Sequence, residues 1–184
     1  MQTDQTYPDS KQNPLDEVPL KLHGVLQSLI GAYRKLMDVV RAEKAALVNA
    51  DLRSIQELTY HKEAILFDIQ RIENERLSLV SRSEVLWGID SGMLTVTDVI
   101  HRVQVRRPQV ADQLRSSLNA LVVLMQRVSE QNRENQELVQ KSIEHVESMK
   151  ANLLGATSPQ GGTYNAHGQR SGASGGRRLI AKQG

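Results

Sequence analysis

Between Val110 and Leu153 the chain sets Leu114, Leu118, Leu121, Met125, Val128, Asn132, Asn135, Val139, Ser142, Val146, Met149 and Leu153 at steps of four and three residues without a slip. An α-helix returns to one face about every 3.6 residues, whereas a strand alternates faces every two, so this spacing draws one stripe along a single long helix. A stripe so narrow is buried by partner helices and not by a sheet. Composition points the same way: 39% of the 184 residues are hydrophobic, and the aromatics are four Tyr, one Trp and one Phe. The core is therefore narrow and aliphatic, without large rings at its centre.

Two earlier segments repeat the pattern. Leu22, Leu26, Leu29, Tyr33, Leu36, Val40, Glu43 and Leu47 form a heptad seam with one polar member. Asn49, Ala50 and Asp51 interrupt it, and the Asp51 carboxylate suits the exposed N–H groups that open a helix, so a tight antiparallel turn is expected there. The second helix reads from Leu52 to about Leu86, with Ile55, Leu58, Lys62, Ile65, Ile69, Ile72, Arg76 and Leu79 on or near its seam. Gly88, Asp90, Ser91 and Gly92 mark a loop, and Thr95 with Asp98 offers part of a capping box before a short helix through Val105. Pro108 ends that segment and suits the first turn of the long helix, which Gly155 stops.

The ends read differently. Pro8, Pro14 and Pro19 lie among polar residues, which predicts a mobile leader over residues 1–19. Residues 156–184 hold seven of the twelve Gly and the low-complexity run Ser171 to Gly176, which predicts a disordered tail. The expected fold is all-α: an elongated antiparallel helical hairpin plus a long C-terminal helix, a three-helix coiled-coil-like bundle over residues 20–155 with disordered termini. At about 1.5 Å per residue the three long helices span about 45, 52 and 69 Å. The third therefore overhangs the hairpin, and the stripe through Leu138, Ile143, Val146, Met149 and Leu153 is left for another molecule to cover.

Charge and chemistry remove several function classes. The net charge of +2 comes from the tail, since residues 1–155 carry 19 basic and 21 acidic side chains while residues 156–184 carry Arg170, Arg177, Arg178 and Lys182 and no acid. A folded nucleic-acid-binding domain concentrates positive charge on one face, so no nucleic-acid partner is expected; four tail charges give only weak, salt-sensitive attraction. The absence of Cys excludes disulfides, thiolate metal sites and a Cys nucleophile, and a reducing cytosol is the easiest fit. No apolar run is long enough to span a membrane, and residues 1–10 do not resemble a secretion signal, so a soluble, uncleaved cytoplasmic chain is expected without membrane insertion. His23, His61, His101, His145 and His167 are scattered, none at the i, i+4 spacing of a helical metal pair, and no phosphate loop follows a strand. No catalytic residue, metal or cofactor is predicted, and the chain is not expected to be an enzyme.

Three polar features stand out. Glu43 and Lys62 sit on the seams of the two hairpin arms about one turn out of line, so they either form a partly buried, register-fixing ion pair or snorkel out independently; their long amphipathic stems favour the second. Asn132 and Asn135 place two amides in the seam of the long helix, where such residues set alignment or, alternatively, hydrogen-bond to a bound backbone. Tyr164 stands alone among glycines in the tail, where an aromatic serves as a short-motif anchor.

Taken together these features resemble the FlgN family of bacterial flagellar export chaperones. The resemblance rests on Glu43 and Leu47 ending the first helix, the turn to Asp51, Lys62 followed by Ile65 and Leu66, Asn132 and Asn135 with Leu138 and Val139, and Thr163–Tyr164 with Gly168. It covers about residues 22–168. It implies a chaperone that binds the C-terminal helical region of hook–filament junction proteins of the FlgK and FlgL type, prevents their premature assembly and delivers them to the type III export gate. On that resemblance the client-binding region maps onto Leu138, Val139, Ile143, Val146, Met149 and Leu153, and the seam amides Asn132 and Asn135 join them as client-binding candidates. Tyr164 would dock on an FlhA-type gate component. The residues themselves make Glu43 and Lys62 register-setting, structural candidates and leave a homodimer, a domain swap or a folded-back helix as ways to cover the stripe without client. The leader and the residues after Gly168 depart from the family pattern. A different class, a permanently dimeric coiled-coil scaffold without client release, would use the same stripe.

Overall fold

The computed structural model describes residues 14–89 and 92–156. They form four helices, α1 (Pro14–Val48), α2 (Leu52–Trp87), α3 (Val96–Arg106) and α4 (Pro108–Ala156), with no strand among the described residues. Two compact units divide the chain after Val139. The first holds α1, α2, α3 and the first part of α4; the described part of the second is the helical stretch of α4 from residue 140 to residue 156.

The hairpin turn follows from three residues. Asp51 donates its N–H to Ala46 O at 3.0 Å, and Ala50 adopts a φ of 51° to let the chain reverse. The Asp51 carboxylate then accepts from Ser54 N at 3.1 Å and from Ser54 Oγ at 2.6 Å, which caps α2. Both interactions hold its carboxyl below the usual range, the hydroxyl bond most of all. At the other end of α2, Gly88 takes a φ of 63° and Ile89 N bonds back to Glu84 O at 2.9 Å, a left-handed stop that suits glycine. The Glu84 side chain also accepts from Leu94 N at 2.8 Å, tying down the loop that leads into α3. Thr95 and Asp98 form a complete capping box. Arg107 then closes α3 through a 2.8 Å bond to Val103 O and opens α4 by accepting from Ala111 N, with Pro108 in the first helical position.

The start of α1 corrects the predicted leader. The helix begins at Pro14 and runs through Pro19, and Val18 and Pro19 are fully buried. Pro14 occupies the first helical position, where its missing N–H has no acceptor to lose, and Pro19 falls just beyond the first turn. One backbone bond is lost there, and burial of the ring offsets it. The remainder of the leader and the tail predicted over residues 156–184 lie outside the described residues, apart from the helical Ala156.

α1 is the central element of the first unit. It buries Leu22, Leu26, Leu29, Leu36 and Val40 on its seam, and Val18, Val25, Ile30 and Met37 beside it, because it faces both α2 and α4. α2 contributes Ile69, Ile72, Leu79 and Val80, and α4 contributes Ala111, Leu114, Leu121 and Val128. α3 buries Val96, Val99, Ile100 and Val103 in the same cluster, an amphipathic helix of about three turns. On its outer side Arg102 stacks 5.7 Å from the Trp87 ring centre. Gln27 reaches Ser117, whereas Val40 and Lys44, further along α1, reach Asn135 and Glu134, further along α4, so α4 runs parallel to α1.

Candidate functional site

The residues singled out from the sequence fall in two settings. In the first unit, one polar cluster joins three helices. Lys62 Nζ from α2 donates to Glu43 Oε2 at 2.9 Å and Oε1 at 3.3 Å on α1, and to Asn132 Oδ1 at 2.8 Å on α4. Asn135 spends both amide hydrogens on α1, one on Val40 O and one on Glu43 Oε2, each at 2.9 Å. Glu43 and Lys62 retain 15% and 23% of their side-chain exposure and Asn135 only 3%.

These distances overturn the expectation that Glu43 and Lys62 snorkel out independently. Burial has removed most of the water around both charges, and a lone charge there would be costly, whereas the pair with two amide dipoles satisfies each donor and acceptor. Among the described residues no buried side-chain nitrogen or oxygen lacks a partner. The same geometry engages the Asn135 amide and the Asn132 carbonyl oxygen inside the bundle, in the alignment-setting arrangement that the sequence offered for both. Asn135 fixes the axial position of α4: sliding α4 along α1 would leave a buried amide and a buried carboxylate unmatched, at about 1–3 kcal/mol for each neutral group.

Alongside, Lys44 Nζ donates to Glu134 Oε2 at 2.7 Å, and Gln131 Nε2 donates to the same oxygen at 3.0 Å. The Lys44 hydrogen bond and charge hold the Glu134 carboxyl below its ordinary value. This contact and the Gln27–Ser117 bond escaped the sequence reading. Both lie one residue off the seam, at Ser117 before Leu118 and Glu134 before Asn135, where a flanking polar residue meets the neighbouring helix.

The second setting is apolar and exposed. Leu138 is half-buried and Val139 exposed at the end of the first unit. In the second unit every described side chain from Gln140 to Leu154 is exposed. Ile143, Val146, Met149, Leu153 and Leu154 each present between 48% and 66% of their surface. Val146, Met149, Leu153 and Leu154 line a shallow apolar depression with the stem of Lys150. Residues spaced by three and four share one helix face, so these side chains form a continuous stripe about three turns long. Tyr164 lies outside the described residues.

No three His, Asp or Glu residues come together as metal ligands among the described residues, and no described helix is long and apolar enough to cross a membrane. What the geometry defines is a helical bundle and, on the last turns of α4, an exposed apolar face. A profile of the FlgN protein matches residues 20–172, and the chain belongs to the FlgN family, a family of flagellar chaperones. No curated protein and no solved structure matches the chain.

Proposed function

We propose that the chain is a flagellar export chaperone whose α4 stripe, Ile143, Val146, Met149 and Leu153, receives the C-terminal helical segment of a hook–filament junction protein. The observation that carries this reading is the exposure of that stripe on a helix whose earlier turns use the same spacing to build a core. An amphipathic client segment exposes an apolar face that would self-assemble; laid against the stripe as a helix on a helix, both faces leave water. Leu138 and Val139 precede the stripe on α4 and extend it. The stripe is aliphatic and lacks Trp, Tyr and Arg, the residues that dominate tight interfaces, which suits a complex that must release its cargo.

Delivery to an FlhA-type component of the export gate, with Tyr164 as the docking residue, completes the proposal and places the protein in the cytoplasm. Calorimetric titration with the C-terminal segment of a junction protein tests it. Val146→Asp with Met149→Asp removes binding while the circular dichroism spectrum keeps its helical signal; unchanged binding removes the stripe from the mechanism. Tyr164→Ala leaves that titration unaltered and weakens capture by the gate component. Sedimentation of the mixture gives a one-to-one complex, whereas a dimer that persists on dilution and excludes client identifies a scaffold.

A further inference from the structure

A second groove lies in the first unit, between α1 and α4. Its floor is Ile30, Val123 and Leu124, and Arg34 and Arg127 stand on its walls. Val123 and both arginines are exposed, and neither arginine forms an ion pair with a described residue, although Asp38 and Glu130 follow them by one turn. An apolar floor beside two unneutralised guanidinium groups fits a segment that carries an apolar side chain and a carboxylate on one edge, since guanidinium binds carboxylate through parallel hydrogen bonds. A track along α1 leads to this groove: Leu20, Gln27 and Arg34 recur every seven residues on one exposed face. Gly24 and Gly31 lie beside it. Glycine weakens a helix interior relative to alanine, and a Cβ at either position meets nothing within 4 Å, so the packing of the bundle does not require them. A chain laid closely along α1 does.

The segment that precedes α1 has the length and the side chains to fill the groove. Residues 1–13, outside the described residues, carry Asp4, Tyr7 and Pro8. Tyr7 stands seven residues before Pro14 and Asp4 ten, so a segment doubled back along α1 at about 3.1–3.3 Å per residue carries them about 22–23 Å and 31–33 Å from the start of the helix. Ile30 and Arg34, sixteen and twenty residues into α1, lie about 24 and 30 Å along it at about 1.5 Å per residue. Tyr7 thus comes level with the apolar floor and Asp4 with the arginines. Pro8 biases Tyr7 toward extended backbone, and a polyproline-type segment repeats every three residues, which sets Asp4 and Tyr7 on the same edge.

We propose that residues 4–8 strap the α1–α4 groove of their own chain, with the Tyr7 ring on Ile30 and Val123 and the Asp4 carboxylate between Arg34 and Arg127. The strap ties α4 to α1 over the turns between the Gln27–Ser117 bond and the Lys44–Glu134 pair, and closes the groove to any other helix. The inference is independent of the client reading, since no residue of the α4 stripe takes part.

The full chain has no Cys, so a nitroxide on Thr6→Cys reports where the segment lies. In an isotope-labelled sample the amide signals of Ile30, Val123 and Arg127 weaken at least twofold, while those of Phe67 and Ser78 on the outer side of α2 keep their intensity. Arg34→Glu with Arg127→Glu restores the groove signals without loss of helical circular dichroism, both positions being exposed. Adding Asp4→Arg to that variant weakens them again, which a general loosening of the bundle does not do. Groove signals that keep their full intensity overturn the proposal, as does broadening that reaches α2 equally or that ignores the charge reversals. Spin-labelled chains mixed with isotope-labelled chains that carry no nitroxide give no broadening; broadening in that mixture assigns the groove to a second copy and overturns the strap.

Discussion

From Pro108 to Val139, α4 buries Ala111, Leu114, Leu121, Val128 and Asn135, while from Gln140 to Leu154 no side chain is buried, although steps of four and three run unbroken through both stretches. The spacing therefore records that a helix has an apolar side and is silent on what covers it. In the first stretch cover comes from α1, with the polar cluster fixing the alignment. In the second, helix formation draws on its own residues, and isolated helical segments of this length are marginal in water. One stretch is buried against its own bundle, and the other, exposed along its whole length, is the one we propose exchanges partners.

The largest expected effect comes from removing a buried side chain in the first stretch. Leu114 is fully buried, so Leu114→Ala costs about 2–5 kcal/mol in chemical denaturation, through lost burial and the cavity left behind. Val146→Ala in the second stretch stays within about 0.5 kcal/mol of the wild type. Equal costs at the two positions would erase the distinction. Hydrogen exchange sharpens it further: amides of residues 112–135 exchange through global opening, and those of residues 144–154 exchange faster by local fraying.

Asn135→Ala comes next. It strips the donors from Val40 O and Glu43 Oε2 in a site that is 3% exposed, and about 1–3 kcal/mol is lost. Asn135→Leu separates packing from polarity, because it fills the space with apolar volume yet leaves Glu43 with one fewer donor. If the leucine variant is as stable as the wild type and α4 keeps its alignment, the amide is not what positions the helix.

Much of the fold was legible because local rules and tertiary structure agree. The Asp51 cap, the Thr95–Asp98 box, Pro108 at the start of α4 and the α1 seam all follow from side chains acting within a few residues of themselves. What the sequence left open depends on neighbours distant in the chain. Pro19 breaks a helix by local rules, yet its buried ring is carried by the core. Met125 falls on the ideal seam but is exposed, while Leu124 is half-buried, since about 3.6 residues per turn drifts against a strict heptad. For Glu43 and Lys62, spacing alone could not choose between pairing and snorkelling, because the choice is made by Asn132 and Asn135 arriving from α4. Likewise the groove beside Arg34 and Arg127 exists only once α1 and α4 are side by side.

The smallest expected effect is a pH dependence confined to the first stretch. The hydrogen bond and charge of Lys44 lower the Glu134 carboxyl in the folded state, so the unfolded chain takes up the proton first as pH falls. The stabilisation is thus complete above the ordinary glutamate pKa of about 4.3 and is lost as pH drops through the lower folded value. Asp98, lowered by its bonds from Thr95, and Asp51, lowered by its bonds from Ser54, add slopes of the same sign, so the wild-type curve alone does not isolate Glu134. Lys44→Met does. Its denaturation midpoint lies below the wild type near neutral pH, and the two curves converge in acid, where Glu134 is protonated in both states. The difference is small because both partners keep 43% of their side-chain exposure and solvent screens the pair. Parallel curves down to low pH would mean that Lys44 stabilises α4 by packing its stem and not through the carboxylate.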